Sequence, residues 1–220
     1  MAEKLPRWVK DPRELGMIAQ WPEDWRTFHE HGLEWILSSG RIDARLFAEP
    51  LGSNAMGVLG LVLGRDETRP WIEFVTGRLL AGVGAELLLK GLYMKRGFSI
   101  RTPETSKSPL ARLGSPESQR LNPRMSASFG VLLHEDNLKL LGAGLGFRAL
   151  MVAKWWRDQA AHAAVTMTGD AGPHLFRLAL ALRGLHDELL RNAGAEHVAR
   201  IEHVLRATRP AIGGGERPRP

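Results

Sequence analysis

Residues 67–97, ETRPWIEFVTGRLLAGVGAELLLKGLYMKRG, carry the longest helical pattern in the chain. Pro70 stands near its start, where a missing backbone N–H costs nothing, and Gly97 follows two basic residues at its end. Gly82 and Gly84 lower helix propensity but let a second backbone approach closely. Tight helix packing is favoured over a phosphate loop, because no strand precedes these glycines and no Gly-Lys-Ser/Thr follows them. The positions at helical spacing on one face are Trp71, Phe74, Val75, Leu79, Gly82, Ala85, Leu88, Leu89 and Leu92.

Other stretches of the chain repeat apolar residues at helical intervals, and glycines between 142 and 146 divide one of them into two helices. These stretches are residues 22–39, 134–167, 174–194 and 195–209. Between residues 42 and 64 the pattern fits either a buried strand or a glycine-rich helix, and helix is favoured. We therefore predict an all-α bundle of about five to seven helices.

The pattern also predicts the domain organisation. Residues 1–65 are expected to form an extended arm followed by accessory helices, since Pro6, Pro12 and Pro22 prevent a long helix at the start. A helical core is predicted over 66–206. Residues 207–220 form a tail too rich in glycine and proline to pack, and are expected to be disordered.

Composition excludes several classes of protein. The chain has 220 residues, no cysteine and a formal net charge of +6. The lack of cysteine removes disulfide frameworks, thiol nucleophiles and cysteine-based metal sites. Acidic residues among the first thirty do not fit a signal or transit peptide, and no apolar run is long enough for a spanning helix. We expect a cytoplasmic protein without a membrane partner, and the positive charge makes a polyanion partner plausible.

Residues 98–128 interrupt the helical pattern with prolines, serines and basic residues. This composition predicts a long, mobile, cationic loop. It is either a solvated linker or a loop that contacts a polyanion, and in the second case Arg112, Arg120 and Arg124 are the candidates for the contact.

Elimination leaves few routes to catalysis. HEXXH is absent, His29 and His31 are too close to be neighbouring helical ligands, and no G-x-S-x-G elbow or kinase signature occurs, so no metal or cofactor is expected. Arginine paired with histidine remains, because a guanidinium neutralises phosphate and an imidazole moves protons near neutral pH. The other histidines receive no role: His134 is predicted at a helix start, and His174, His186, His197 and His203 at the ends or polar faces of the last helices.

Arg157 and His162 form one such pair, five positions apart. In a regular helix they lie roughly 140° apart and do not share a face. A joint site therefore needs either a helix end between them or a second chain that completes it. The spacing alone carries little weight, because Arg26 with His31 and Arg191 with His197 have similar spacing.

The surroundings of Arg157 distinguish it from the others. RDQAAHA at 157–163, preceded by the apolar ALMVAKWW, resembles the R-polar-x(3)-H signature of the HEPN superfamily of small all-α ribonuclease and nucleotide-associated domains. The upstream helix AGVGAELLLKGLYMKRG is similar to the second helix of that family, with Glu86 and Lys90 as its acid and lysine. The resemblance covers residues 70–195. Arg191-Asn192 with His197 comes too late in the chain to fit the family order.

The resemblance implies metal-independent RNA cleavage without a cofactor. His162 would act as general base or acid and Arg157 would offset charge on the phosphate, with Asp158 positioning the site or binding RNA. Glu86 and Lys90 would support the pair, and Lys154 would join the basic loop residues in binding RNA. The expected protein is a homodimeric endoribonuclease of a toxin–antitoxin or antiviral system, with an antitoxin or sensor protein as partner.

Alternatives remain at this point. A non-catalytic helical module would use the same basic groove to bind RNA, nucleotide or a protein partner without turnover. In a purely structural interpretation, Arg157 and Asp158 form a surface ion pair and His162 packs in the bundle. A helical transcriptional regulator is less favoured, because no helix–turn–helix with a basic recognition helix is evident. Trp155 and Trp156 could stack on bases, but aromatic residues beside an apolar helix are more often core or interface.

Overall fold

The computed structural model describes residues 24–51, 71–101, 109–121, 126–142, 145–162 and 172–207. This part of the chain is helical and contains no named strand, which confirms the all-α fold class. Its helices are α1 (Trp25–Ser38), α2 (Arg45–Ala48), α3 (Trp71–Lys95), α4 (Pro116–Gln119), α5 (Phe129–Leu132), α6 (Glu135–Leu140), a 3-10 helix (Leu145–Leu150), α7 (Met151–His162), α8 (Gly172–Leu190) and α9 (Ala195–Ala207). The long ones, α1, α3, α7, α8 and α9, are those the periodicity predicts. The others are too short to show a helical period.

Local signals explain where the long helices begin and end. The Asp24 side chain accepts a hydrogen bond from the backbone N–H of Arg26 at 3.0 Å and caps α1. Gly40 and Gly97 follow α1 and α3 with φ of 61° and 81°, a left-handed conformation that glycine adopts at little cost. Gly194 separates α8 from α9 in the same way, with φ of 82°.

Helix α3 is the centre of the bundle and packs against α1 on one side and α7 on the other. Its glycines permit this close packing, as predicted. A Cβ on Gly84 would lie 2.5 Å from the carbonyl oxygen of Gly32 in α1, and a Cβ on Gly82 would lie 2.6 Å from the carbonyl oxygen of Ala153 in α7. The two glycines therefore set the distance between α3 and both neighbours.

Polar contacts join the C-terminal half of α3 to the rest of the core. The Lys95 ammonium donates to the carbonyl oxygens of Glu188 and Leu189 at 2.8 Å, at the C-terminal end of α8 where the helix dipole favours a cation. The buried Tyr93 hydroxyl donates to the carbonyl oxygen of Leu132 at 2.7 Å and fixes α5 against α3. No helix of the described ranges is long and apolar enough to cross a membrane.

The described parts of the 98–128 segment are packed and hydrogen-bonded, which corrects the prediction of a mobile loop for those parts. Ser99 N–H donates to Ala111 O at 2.8 Å, and Ala127 N–H donates to Ile100 O at 2.7 Å. Ile100 and Leu110 are buried, so apolar residues between the prolines anchor the segment to the core. Composition does not predict this packing, because the free energy gained by burying a few apolar side chains outweighs the preference of many polar ones for solvent.

Several predictions concern residues outside the described ranges. These are the extended arm over residues 1–22, most of the helix-or-strand stretch at 42–64, and the tail. Within 42–51 the structure has the short helix α2.

Candidate functional site: a charged cluster between α3 and α7

Five charged side chains meet where α3 packs against α7. Glu86 and Lys90 lie one turn apart on α3, and Lys154, Arg157 and Asp158 lie on one side of α7. The cluster forms because the missing side chain at Gly82 lets α7 approach: a Cβ on Gly82 would lie 2.7 Å from the Cβ of Arg157. The structure thus brings together five residues that the sequence singled out, from helices far apart in the chain.

Arg157 is the centre of the charged cluster. Its Nη1 donates to Glu86 Oε2, while its Nε and Nη2 donate to Asp158 Oδ1 at 3.1 and 2.8 Å. The guanidinium also lies over the ring of Phe129, 5.5 Å from the centroid. Contacts on three sides hold the side chain in one orientation, and 24% of it remains exposed.

The two lysines extend the cluster at both ends. Lys90 Nζ lies 2.8 Å from Glu86 Oε1 and donates to Ser126 Oγ at 3.0 Å, so the end of the 98–128 segment touches the cluster. Lys154 Nζ donates to Asp158 Oδ2 at 2.5 Å. Partial burial opposes ionisation of Asp158, but hydrogen bonds from Lys154 and Arg157 outweigh it and lower its pKa.

Burial and charge limit what the cluster can do. Glu86 and Lys90 are nearly buried, with 12% and 6% of their side chains exposed, whereas Asp158 is 33% exposed. The three cations and two anions leave one positive charge in excess. A guanidinium has five N–H donors and Arg157 uses three of them in these bonds, so two remain that could donate to a phosphate oxygen.

His162 is the last residue of α7, and its side chain lies outside the described residues. Helix α7 runs without interruption from Met151 to His162. No helix end therefore separates Arg157 from His162, which removes one of the two ways in which the pair could share a site. The other way, completion by a second chain, is untouched by this geometry.

The predicted RNA-binding residues occupy different surroundings. Arg112 and Arg120 are exposed, and the Arg112 guanidinium lies over the Phe98 ring at 5.4 Å from the centroid. Arg124 lies outside the described residues. Lys154 is engaged with Asp158 in the charged cluster. Trp156 is buried, whereas Trp155 is 42% exposed, so only Trp155 is accessible for stacking.

Three histidines that the sequence left without a role form a buried chain. His197 lies at the start of α9, as predicted, but neither His186 nor His197 lies on a polar face. His29 Nδ1 lies 2.9 Å from His197 Nε2, and His29 Nε2 lies 3.0 Å from His186 Nδ1. All three are buried. Burial and the neighbouring cations and imidazoles lower the pKa of His29 to about 2, and burial with Arg183 lowers that of His186 to about 3.

The histidine chain joins three helices and is not a metal site. The ring of His29 uses its two nitrogens in two directions, so the three imidazoles do not converge on a common point. Among the residues described, no group of three or more histidine or acidic side chains could hold a metal ion. His134 caps α6, as predicted: its Nδ1 accepts from the Asp136 N–H at 3.4 Å.

The rival pair of Arg191 and His197 is split between surface and core. Arg191 is exposed and pairs with Glu188 at 2.8 Å, whereas His197 is buried in the histidine chain. Burial denies His197 access to a phosphate, so this pair is not a nuclease site.

Comparison of the chain with protein-family models, curated proteins and solved structures finds no match. The functional argument therefore depends on the charged cluster itself.

Proposed function

We propose that the protein is a metal-independent endoribonuclease of HEPN type, with Arg157 and His162 as its catalytic residues. The observation that carries the proposal is the position of Arg157. The arginine of the RDQAAH motif is held by Glu86 and Asp158 in a partly open cluster, beside the lysine of the upstream helix. Preorganised cations of this kind stabilise charge that develops on phosphate oxygens.

The proposed reaction needs only groups of the chain and of RNA. His162 removes the proton from a ribose 2′-OH, and the 2′-oxygen attacks the adjacent phosphorus. The bond from phosphorus to the 5′-oxygen breaks, and the imidazolium returns its proton to the leaving 5′-oxygen. Arg157 binds the phosphate through its remaining N–H donors, and Asp158 and Glu86 fix its orientation. The products are a 2′,3′-cyclic phosphate and a 5′-hydroxyl.

A homodimer is part of the proposal. Arg157 and His162 lie on one continuous helix about 140° apart, so one copy supplies a phosphate-binding arginine where the other supplies the imidazole. Ser126 of the 98–128 segment contacts Lys90, which supports a path for RNA along this segment past Arg112 and Arg120. Action as a toxin or in antiviral defence in the cytoplasm, under an antitoxin or sensor protein, follows from the family resemblance alone.

The experiment compares RNA cleavage by wild type, Arg157→Ala and His162→Ala, with His203→Ala as the matched control on the exposed face of α9. Arg157→Ala and His162→Ala should each lose about 100-fold or more in rate, and the control should not change. Cleavage should persist in EDTA and leave cyclic phosphate ends. Light scattering should give twice the chain mass of 24.4 kDa.

An active His162→Ala variant, or cleavage of DNA and RNA at equal rates, would overturn the mechanism. A non-catalytic binding module is then the second candidate. The observation in its favour is that two carboxylates already neutralise Arg157 in the free protein, as in an ion-pair network that serves stability. RNA binding without turnover would support it.

A further inference from the structure

A groove of about 860 Å³ lies between α8 and the segment formed by the 3-10 helix and the first turn of α7. Its walls are mostly apolar. Phe147, Met151 and Val152 line one side, and Leu180 and Ala181 of α8 line the other. Met151 and Leu180 are 46% and 39% exposed, although most large apolar side chains in the described ranges are buried. An open groove with apolar residues on both walls is typical of an interaction surface.

The rim of the groove is positively charged. Arg148 comes from the 3-10 helix, and His174 and Arg177 come from α8. Arg148 has an exposed partner, Glu135, at 3.3 Å. Arg177 and His174 form no hydrogen bond or ion pair with any residue that the structure describes, and no acidic residue is part of the groove lining. The groove therefore offers the guanidinium of Arg177, which has no acidic partner among the described residues, beside apolar walls.

The shape of the groove favours a helix as its occupant. His174, Arg177, Ala181 and Gly184 follow one another at helical spacing along α8 and all line the groove. This straight wall extends over about three turns, or roughly 15 Å. A partner helix lying along it would place apolar residues between Met151 and Leu180 and its flanking residues beside the cations.

Charge selects among the occupants. Residues 1–23 contain four basic and four acidic side chains, and residues 208–220 contain three arginines and one glutamate. Neither segment complements a positive rim. A second copy docked through the same face would bring the same arginines together, which like-charge repulsion opposes. Nucleic acid would complement the charge but would leave the apolar walls unsatisfied.

We propose that the groove between α8 and the start of α7 binds an acidic amphipathic helix of a partner protein. The apolar face of that helix packs on Met151 and Leu180, and its glutamates or aspartates pair with Arg177 and Arg148. This interaction surface uses none of the residues of the charged cluster, and it stands whether or not the protein cleaves RNA.

The test measures binding of a fluorescent peptide to the full chain by anisotropy. The peptide forms about five turns of helix, with leucine on one face and glutamate on the flanks. Arg177→Glu and Leu180→Ser should each raise the dissociation constant about tenfold or more. Arg206→Glu, an exposed arginine of α9 that does not line the groove, is the matched control and should change it less than about twofold.

Three outcomes would overturn the inference. One is equal binding of a peptide with lysine in place of glutamate. The second is displacement of the acidic peptide by a peptide copying residues 5–21, which would assign the groove to the chain's own arm. The third is displacement by a single-stranded RNA whose binding is also weakened by Arg177→Glu, which would assign it to nucleic acid. Thermal unfolding of each variant checks that it is folded.

Discussion

Glu86 is the residue on which the charged cluster depends. It is the partner of both Lys90 and Arg157, and only 12% of its side chain is exposed. Water cannot replace a carboxylate efficiently at such a position, so two cations would be left poorly compensated without it. At the surface the same pairing has little value, since solvent and salt screen it.

We expect Glu86→Gln to destabilise the protein by about 2–4 kcal/mol, because it leaves Lys90 and Arg157 partly buried without their shared anion. The measurement is urea unfolding followed by circular dichroism. Glu196→Gln is the matched control: Glu196 pairs with Arg200 at 2.7 Å on α9 but is 82% exposed, so its loss should cost less than about 1 kcal/mol. Equal effects of the two substitutions would show that the cluster does not contribute to stability.

At the scale of helices, the approach of α7 to α3 depends on a single missing side chain. The nearest atoms to a Cβ at Gly82 belong to the backbone and Cβ of α7, which cannot move without shifting the helix. Gly184 in α8 differs, because a Cβ there would lie 3.4 Å from Phe147 Cε1, an ordinary contact. Substitution by alanine should therefore have opposite effects on stability at Gly82 and at Gly184.

We predict that Gly82→Ala destabilises the protein by about 1–3 kcal/mol despite the better helix propensity of alanine, because overpacking outweighs it. Gly184→Ala should instead stabilise by about 0.5–1 kcal/mol. Urea unfolding of both variants gives the two signs. If Gly82→Ala is also stabilising, α3 and α7 do not pack as closely in the protein as described above. Gly82→Ala should also reduce any activity of Arg157, since it displaces α7.

At the scale of the whole molecule, the buried histidine chain links the first helix of the described chain to the last two. His29 lies in α1, His186 in α8 and His197 in α9, and the bonded pairs are 157 and 168 positions apart. Burial is the first cause that lowers the pKa of each imidazole, although the Glu30 carboxylate, 3.4 Å from His197 Nδ1, opposes the shift at His197. Protonation therefore favours the unfolded chain.

The free energy of unfolding should fall as pH drops below about 6.5, the ordinary pKa of histidine in the unfolded chain. The folded pKa values are depressed, so the unfolded state binds more protons in this window and stability is fully present only above it. His29 and His186 each contribute a limiting slope of about 1.4 kcal/mol per pH unit, reached at a pH well below about 6.5 and above the folded pKa. For His29 and His186 these values are about 2 and about 3.

Urea unfolding between about pH 5 and 7 measures this slope, in a range where most carboxylates stay ionised. His29→Gln should reduce the slope by about 1 kcal/mol per pH unit near pH 6, and by nearly the limiting value of about 1.4 near pH 5. The exposed His203→Gln should leave it unchanged. A wild-type stability that does not vary over this range would mean that the histidines are accessible to water.

Much of the fold follows from short-range pattern. Apolar spacing is a local signal, and the long helices that it predicts are present. The Asp24 cap and the glycines after α1, α3 and α8, which the structure shows, are local as well. The 98–128 segment was mispredicted in its described parts, because composition averages over residues and does not show that Ile100 and Leu110 are buried. Glu86 and Lys90 were selected by their place on a helix that resembles a family pattern, without any indication of what they contact.

Helix identity is decided within a few residues, since the hydrogen bonds and caps of an α-helix join neighbours in the chain. Contacts between helices are decided over the whole chain, because they depend on which faces meet and how closely. The bond from Arg157 to Glu86 spans 71 positions, and the histidine chain spans more than twice that distance. The local sequence around an arginine, a glutamate or a histidine on a helix does not show whether the side chain faces water or a buried partner. Only the packing of α3 against α7 distinguishes the charged cluster from an ordinary surface ion pair. Only the packing of α1 with α8 and α9 places the three histidines in the core and away from solvent.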